Sequence, residues 1–165
     1  MQCISDVSSE PSAQAPPSPS HQASTITGRI WLPEHDWLHA VFLSRDNTAP
    51  KFRHPDLLSA CVEMVLQDRD ARPAVVEFLQ KVLTRRDPHT ARRSCDVWSP
   101  QFELLLAVHR EAWNKFPNPR YDLDQIATAC VALARMRAGD DGSAVIAQAR
   151  VNVSARCSGE QGLAS

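Results

Sequence analysis

Apolar and polar residues alternate along two short stretches of this chain, residues 25–32 and 93–99. In the first stretch, the two alternating sets are Thr27, Arg29 and Trp31 on one side and Gly28, Ile30 and Leu32 on the other. The second stretch sets Ser94, Asp96 and Trp98 against Cys95, Val97 and Ser99. A period of two is typical of a strand with one buried face. The pattern therefore predicts two short strands.

Five helices are predicted between and after these strands. Pro33, Pro55, Pro73 and Pro100 each fit the first turn of a helix, where the missing N–H costs nothing. Asp122 is a suitable N-cap for the last of the five. Apolar residues then recur at intervals of three or four, as expected for helices with one face toward a core. A mainly α fold is therefore expected.

Part of this pattern occurs twice, at a constant distance of 67 residues. The identical pairs are Trp31/Trp98, Pro33/Pro100, Leu38/Leu105, Ala40/Ala107, Val41/Val108, Asn47/Asn114, Pro50/Pro117 and Arg53/Arg120. After an insertion of two residues in the second copy, Cys61 aligns with Cys130. A unit of about 40 residues is too short to bury a good core alone. The repeat therefore predicts two halves packed together, as a dimer made covalent.

The repeat and the local composition divide the chain into five segments. The predicted segments are a disordered N-terminal tail (1–24), a first unit (25–68), a linker helix and link (69–92), a second unit (93–137) and a flexible C-terminal tail (138–165). The tails are rich in small and polar residues, which is typical of disorder. The sequence shows no secretory signal and no apolar run that could cross a membrane, so a cytoplasmic protein is expected.

Charge and chemistry-bearing residues narrow the functional classes. The net charge of −1 neither demands nor excludes nucleic acid. Cys61 and Cys130 are equivalent in the repeat and lie in apolar helical stretches, so we expect them to be small core residues and not disulfide or metal partners. His35 and His39 have metal-ligand spacing, but no third ligand is apparent, so no metal is expected. No catalytic motif or phosphate loop is present, and we expect a non-enzymatic protein without a cofactor.

The order of strand, Pro-initiated helix, loop and second helix resembles the ribbon-helix-helix family of bacterial DNA-binding proteins. The best-matching piece is Gly28-Arg29-Ile30-Trp31-Leu32-Pro33-Glu34. Members normally dimerise: two strands form an antiparallel ribbon that enters the DNA major groove, and four helices form the base. Because both units lie in one chain, this sequence resembles the single-chain tandem version found among accessory proteins of conjugative DNA transfer, including a virulence protein that binds T-DNA borders.

The resemblance implies a fold, a partner and a set of contact residues. The implied fold is mainly α, with two ribbon-helix-helix units sharing a two-stranded antiparallel ribbon and an extra linker helix. The implied partner is double-stranded DNA, with relaxosome or partition proteins as further partners, in plasmid transfer, partition or transcriptional regulation. The residues implied to contact bases are Thr27, Arg29, Trp31, Ser94, Asp96 and Trp98. Those implied to contact phosphates are Arg53, Arg120, Arg92 and Arg93.

Several residues depart from the family pattern. Asp96 stands where the first unit has Arg29, and Asp56 and Asp122 lie near the starts of the second helices, where they would repel a phosphate. These carboxylates, together with the near-neutral net charge and the tryptophans, favour an alternative in which the module keeps the fold and binds protein. The charge of the ribbon face and of the helix starts discriminates between the two functions: an acidic or neutral charge there favours protein binding, because DNA binding requires an excess of positive charge.

Overall fold

The computed structural model of the chain describes residues 24–115 and 117–161. Its elements are β1 (Thr25–Trp31), α1 (Leu32–Leu43), α2 (His54–Leu66), α3 (Arg72–Lys81), β2 (Arg92–Trp98), α4 (Ser99–His109), α5 (Leu123–Ala138) and α6 (Ser143–Gln161). The described residues therefore form a mainly helical fold with a two-stranded antiparallel sheet, as predicted. The predicted N-terminal tail lies outside the described residues, apart from Ser24.

The first five helices begin where the sequence signals place them. α1, α2, α3 and α4 each have a proline in the first turn. α5 begins after Asp122, whose carboxylate accepts a hydrogen bond from the Gln125 N–H at 2.8 Å. The Gln125 side chain in turn accepts one from the Asp122 N–H at 2.9 Å. This reciprocal capping box satisfies two N–H groups that the helix start leaves without partners.

β1 and β2 pair in a symmetric register. Gly28 lies opposite Cys95, and these two residues are equivalent in the repeat. A Cβ atom at Gly28 would lie only 3.3 Å from the Cys95 carbonyl oxygen, so glycine allows the strands to approach closely at this point. On either side, the pair Thr27 and Asp96 is matched by the equivalent pair Ser94 and Arg29. The strand pairing therefore has an approximate two-fold axis through its centre.

The ends of the two strands repeat the same symmetry in their backbone contacts. The Leu32 N–H donates to the Ala91 carbonyl at 2.8 Å, and the equivalent Ser99 N–H donates to the Ser24 carbonyl at 2.9 Å. Each bond joins the start of a helix in one half to the residue before the strand of the other half. These two hydrogen bonds therefore connect the two halves of the chain at both ends of the sheet.

One hydrophobic core joins the two halves. Its members include residues from both repeats and both strands, among them Ile30, Val41, Cys61, Val97, Val108 and Cys130. Cys61 and Cys130 are fully buried free thiols, which confirms their expected place in the core. Burial raises the pKa of Cys130 to about 12. The linker helix α3 also belongs to this core, because Val75 and Leu79 are fully buried.

The C-terminal region differs from the prediction. Residues 143–161 form α6, whereas a flexible tail was expected over 138–165. Val145, Ile146 and Ala149 are buried, and α6 packs mainly on α2. The apolar stripe of α6 is narrow and made of small side chains between polar ones, so its composition resembles that of a tail. Its burial nevertheless extends the core beyond the repeated units.

The loops between the helices of each half reveal where the repeat changes length. Asn47 Oδ1 accepts from the Phe52 N–H at 2.7 Å, five residues later. Asn114 Oδ1 accepts from the Tyr121 N–H at 2.9 Å, seven residues later. Phe52 and Tyr121 are therefore structural equivalents, and the two-residue insertion lies inside this loop. The helix starts that follow are related by 69 residues rather than 67.

Candidate nucleic-acid interface

The two-stranded ribbon has one face toward the core and one toward solvent. Ile30, Cys95 and Val97 are buried against the helices. Directly paired residues of antiparallel strands share a face, so the opposite set of side chains points outward. We call Thr25, Thr27, Arg29, Ser94 and Asp96 the outer ribbon face. All five are exposed or half-buried, and four of them belong to the predicted base-contacting set.

Arg29 is the most prominent cation of the outer ribbon face. Its side chain is 60% exposed and forms an ion pair with Asp124 Oδ2 at 3.1 Å. A guanidinium carries five N–H donors in a planar fork, so one carboxylate contact leaves donors that still face solvent. The Asp124 contact fixes Arg29 at one side of the ribbon without removing it from the surface.

Trp31 is not accessible on the outer ribbon face. The residue is 2% exposed, at the end of β1. The Arg92 guanidinium lies 5.9 Å from its ring centroid, and the Trp31 backbone N–H donates to Thr128 on α5. Packing against the helical base therefore removes Trp31 from the predicted set of base-contacting residues.

Trp98, at the end of β2, is half-buried and held by its neighbours. Its indole Nε1–H donates to Asp56 Oδ1 at 2.8 Å, at the start of α2. The Arg156 guanidinium lies 4.1 Å from a Trp98 ring centroid and forms an ion pair with Asp56 at 2.7 Å. Sequence reasoning missed Arg156, because it lies on α6 in the supposed tail. Helical spacing could have revealed it, because Val145, Ala149, Asn152 and Arg156 recur at intervals of three or four and so lie on one side of a helix.

Carboxylates already occupy the starts of α2 and α5, the second helix of each half. Asp56 Oδ2 accepts from the Arg53 N–H at 3.1 Å, at the start of α2. Asp122 caps α5, and the Arg92 guanidinium contacts Asp122 at 3.0 Å and Asp124 at 2.8 Å. The partial positive charge of these helix N-termini is thus satisfied within the protein. Arg92, predicted to contact a phosphate, is instead held between two carboxylates and is only one-quarter exposed.

Arg53 and Arg120 are not structural equivalents, which corrects the sequence alignment. Arg53 is the residue immediately before α2, and its counterpart before α5 is Asp122. The counterpart of Arg120, just before Tyr121, is Lys51, just before Phe52. Both of these cations lie over aromatic rings, with Lys51 Nζ 4.5 Å from the Phe42 centroid and the Arg120 guanidinium 5.4 Å from that of Tyr121. Sequence reasoning missed Lys51, because the insertion shifted its partner by two residues.

Four cations that lie in β2 or just ahead of α2 and α5 have no carboxylate partner among the described residues. They are Lys51, Arg53, Arg93 and Arg120, and all four are exposed. Together with Arg29, Arg92 and Arg156 they make seven positive side chains around the ribbon and the two helix starts. The carboxylates of this region are Asp56, Asp96, Asp122 and Asp124. The region therefore has a modest excess of positive charge, carried by Lys51, Arg53, Arg93 and Arg120, the exposed rim of cations. The outer ribbon face itself is neutral, because it carries one cation, Arg29, and one anion, Asp96. A neutral ribbon face and carboxylates at both helix starts are the outcome expected for the protein-binding alternative.

Three histidines meet at the joint between α1 and α2. His39 Nδ1 lies 3.2 Å from His54 Nε2, and the ring centroids of His35 and His54 are 5.7 Å apart. Burial lowers the pKa of His54, and the nearby His35 and His39 lower it further. Sequence reasoning found the first two histidines but not His54, which is distant in sequence. Over residues 24–115 and 117–161, no group of His, Cys, Asp or Glu side chains is arranged to hold a metal ion.

No protein-family model, curated protein or solved structure matches this chain. Within the part of the chain that the structure describes, no helix is both long enough and apolar enough to cross a membrane. A functional proposal therefore rests on the residues and geometry of the ribbon and its surroundings.

Proposed function

We propose that this chain is a single-chain, pseudo-dimeric ribbon-helix-helix protein that binds double-stranded DNA through the outer ribbon face. The observation that carries the proposal is the symmetric pairing of β1 and β2 around Gly28 and Cys95. The inner face of this ribbon packs on the helices, and its outer face is polar and exposed. A two-stranded ribbon of this kind fits the major groove of B-DNA, which is about 12 Å wide.

The outer ribbon face has the chemistry needed to contact base edges. Arg29 suits bidentate donation to guanine O6 and N7. Thr27 and Ser94, which are equivalent in the repeat, carry hydroxyls that both donate and accept. Asp96 is an acceptor, which suits the amino group of cytosine. In this proposal, sequence preference comes from these four side chains and not from Trp31.

The phosphate contacts are assigned to the exposed rim of cations. Lys51 and Arg120 occupy equivalent positions in the two halves, and Arg53 and Arg93 add further positive charge. Cations placed on both sides of a ribbon position it in the groove by neutralising phosphates. The helix N-termini play no such part here, because Asp56 and Asp122 occupy them.

The proposed biological role is accessory to mobile DNA, in plasmid or T-DNA transfer, partition or transcriptional regulation, in the cytoplasm. The resemblance of the repeated unit to single-chain transfer proteins supports this role, and relaxosome or partition proteins are the further partners it implies. The proposal includes no catalytic step and no cofactor. The five residues of the outer ribbon face include neither His nor Cys, the usual partners of a nucleophilic pair.

A selection followed by a titration tests the proposal. The full chain is used to enrich a pool of random-sequence duplexes at about 50 mM salt, and the enriched duplex is titrated by fluorescence anisotropy. We expect Arg29→Ala to weaken specific binding by about 1–3 kcal/mol while leaving the fold intact. Arg110→Ala is the matched control, because Arg110 is an exposed arginine beyond the far end of α4. Absence of binding to any duplex by the folded chain would overturn the proposal.

One observation favours a second function, binding to a protein partner through the same face. Carboxylates occupy both helix starts, and Arg29 and Arg92 both contact Asp124. A surface built for phosphates usually leaves such cations unpaired. Failure to enrich any duplex at low salt, with the helical circular dichroism spectrum intact, favours this second function over DNA binding.

A further inference from the structure

We infer that the DNA target of the outer ribbon face is not palindromic. At the two base pairs related by the two-fold axis of the ribbon, Arg29 selects a guanine and Asp96 selects a cytosine. This inference rests on the proposed DNA binding and specifies its target.

Arg29 and Asp96 occupy equivalent places on the outer ribbon face. Arg29 follows Gly28, Asp96 follows Cys95, and Gly28 and Cys95 form the central pair of the ribbon. Each side chain therefore lies one residue beyond the two-fold axis, on the solvent side. In a homodimer these two positions would carry the same residue. Here they carry opposite charges, so the two halves of the ribbon present different chemistry to the two halves of a DNA site.

The Asp96 carboxylate is available for a ligand. Arg29 pairs with Asp124 and not with Asp96, although both lie on the same face. Among the described residues, no donor contacts the Asp96 carboxylate; only its backbone oxygen is approached, by Cys95 Sγ at 4.0 Å. Its cross-strand neighbour is Thr27, a neutral side chain. The half-buried Asp96 thus carries an unpaired carboxylate close to the centre of the ribbon.

The hydrogen-bond donors and acceptors of the bases determine which base each of these two side chains prefers. A palindromic site presents the same base to the two equivalent ribbon positions. If Arg29 contacts a guanine, Asp96 would face the O6 and N7 of the second guanine, which are both acceptors. A carboxylate cannot accept a hydrogen from either atom, and like partial charges repel. A cytosine at that place offers its N4 amino group, a donor, to Asp96.

The preferred site is therefore defined along one DNA strand. In a palindrome the two equivalent guanines lie on opposite strands, so one strand carries G at the first position and C at the second. Asp96 requires the second base pair to be exchanged, and the same strand then carries G at both positions. Thr27 and Ser94 keep equivalent hydroxyls on the two halves and impose no such difference. The expected target is thus palindromic in part, with the departure at the pair of positions nearest the axis that Arg29 and Asp96 contact.

Four duplexes that differ only at these two base pairs test the inference on the unmodified chain. The probes are built on the enriched duplex and carry G/G, G/C, C/G and C/C along one strand. We expect the G/G duplex, or its complement, to bind more tightly than the palindromic forms by between about fivefold and about 150-fold. Equal or tighter binding of a palindromic form overturns the inference while leaving DNA binding itself intact.

Asp96→Arg provides an independent test, since it gives both halves the same residue. Repeating the selection with this variant should yield a palindromic motif, with G and C at the two positions. Glu103→Arg, an exposed charge change of the same size on α4, should raise general affinity and leave the motif unchanged. An unchanged motif in the Asp96→Arg protein overturns the inference. Loss of all duplex binding by the unmodified chain overturns both the inference and the proposed function.

Discussion

The backbone N–H of Trp31 donates a hydrogen bond to the Thr128 hydroxyl at 3.0 Å, from the end of β1 to the middle of α5. The equivalent N–H of Trp98 donates to the Ser59 hydroxyl of α2 at 2.9 Å. Each bond therefore leaves the strand of one half and reaches the second helix of the other. This reciprocal exchange attaches the ribbon to the helical base at both ends.

The bond between Trp31 and Thr128 predicts a measurable loss of stability. Thr128 is fully buried, and Thr128→Val keeps the side-chain volume but removes the hydroxyl that accepts from the Trp31 N–H. A buried N–H without an acceptor costs about 1–3 kcal/mol. We expect the free energy of unfolding in urea to fall by this amount.

Thr128→Ser is the control for that measurement, because it keeps the hydroxyl and removes one methyl group. We expect it to lose less stability than Thr128→Val. If the valine variant is as stable as the serine variant, the hydroxyl does not anchor the ribbon.

The two loop asparagines predict matched effects in the two halves. The Asn47 side-chain amide donates to the carbonyls of Phe42 and Phe52 at 3.0 and 2.9 Å, and its oxygen accepts from the Phe52 N–H. Asn114 makes the equivalent contacts to His109 and Tyr121. Replacing either asparagine by alanine leaves a buried N–H unpaired, at a cost of about 1–3 kcal/mol.

Chemical denaturation of Asn47→Ala and Asn114→Ala checks this expectation. The exposed Thr48 provides a neighbouring control, since Thr48→Ala should change the free energy of unfolding by less than about 0.5 kcal/mol. A large loss at one asparagine and none at the other would show that the two loops do not serve the same purpose.

The prediction of the fold succeeded where local chemistry decided the outcome. Alternation placed the strands to within a residue, and a proline in the first turn marked the starts of the first four helices. The misplaced features depended on contacts between distant parts of the chain. Nothing local shows that Arg156 contacts Asp56, or that the insertion separates Arg53 from Arg120 in the three-dimensional repeat. The apolar stripe of α6 is too narrow to predict a helix from the sequence. The segment is helical because its apolar residues pack on α2.

The histidine cluster predicts that stability falls in mild acid. The pKa of His54 in the folded chain is lowered, first by burial and then by His35 and His39. Histidine in the unfolded chain has a pKa of about 6.5, so below that pH the unfolded chain binds more protons than the folded chain. The contribution of His54 to the free energy of unfolding should be complete above that pH and be lost as the pH falls toward the folded pKa. Two other charged groups face the cluster: Lys51, whose Nζ lies over the Phe42 ring, and Asp36, whose Oδ1 lies 3.9 Å from His35 Nδ1.

The second half of the chain supplies the control for the pH measurement. Its equivalents of His35, His39 and His54 are the apolar Phe102, Leu106 and Leu123. A triple variant, His35→Phe, His39→Leu and His54→Leu, should retain the fold, because the same residues pack in the other half. We expect urea unfolding between about pH 5 and 7 to lose the histidine-linked slope in this variant. Identical slopes in the two proteins would contradict the role assigned to the cluster.

The rim of unpaired cations predicts a shallow dependence of DNA binding on salt. Lys51, Arg53, Arg93 and Arg120 allow at most four phosphate contacts, so the slope of log K against log salt should be no steeper than about −3.6. Affinity should therefore fall by about 150-fold at most between 50 and 200 mM salt. Replacing the equivalent pair Lys51 and Arg120 by alanine should reduce the slope by about 1.8. Arg29→Ala, in contrast, should lower the preference for the enriched duplex over a scrambled one, which anisotropy titrations at several salt concentrations resolve. A slope that the double variant leaves unchanged would place the phosphate contacts elsewhere on the surface.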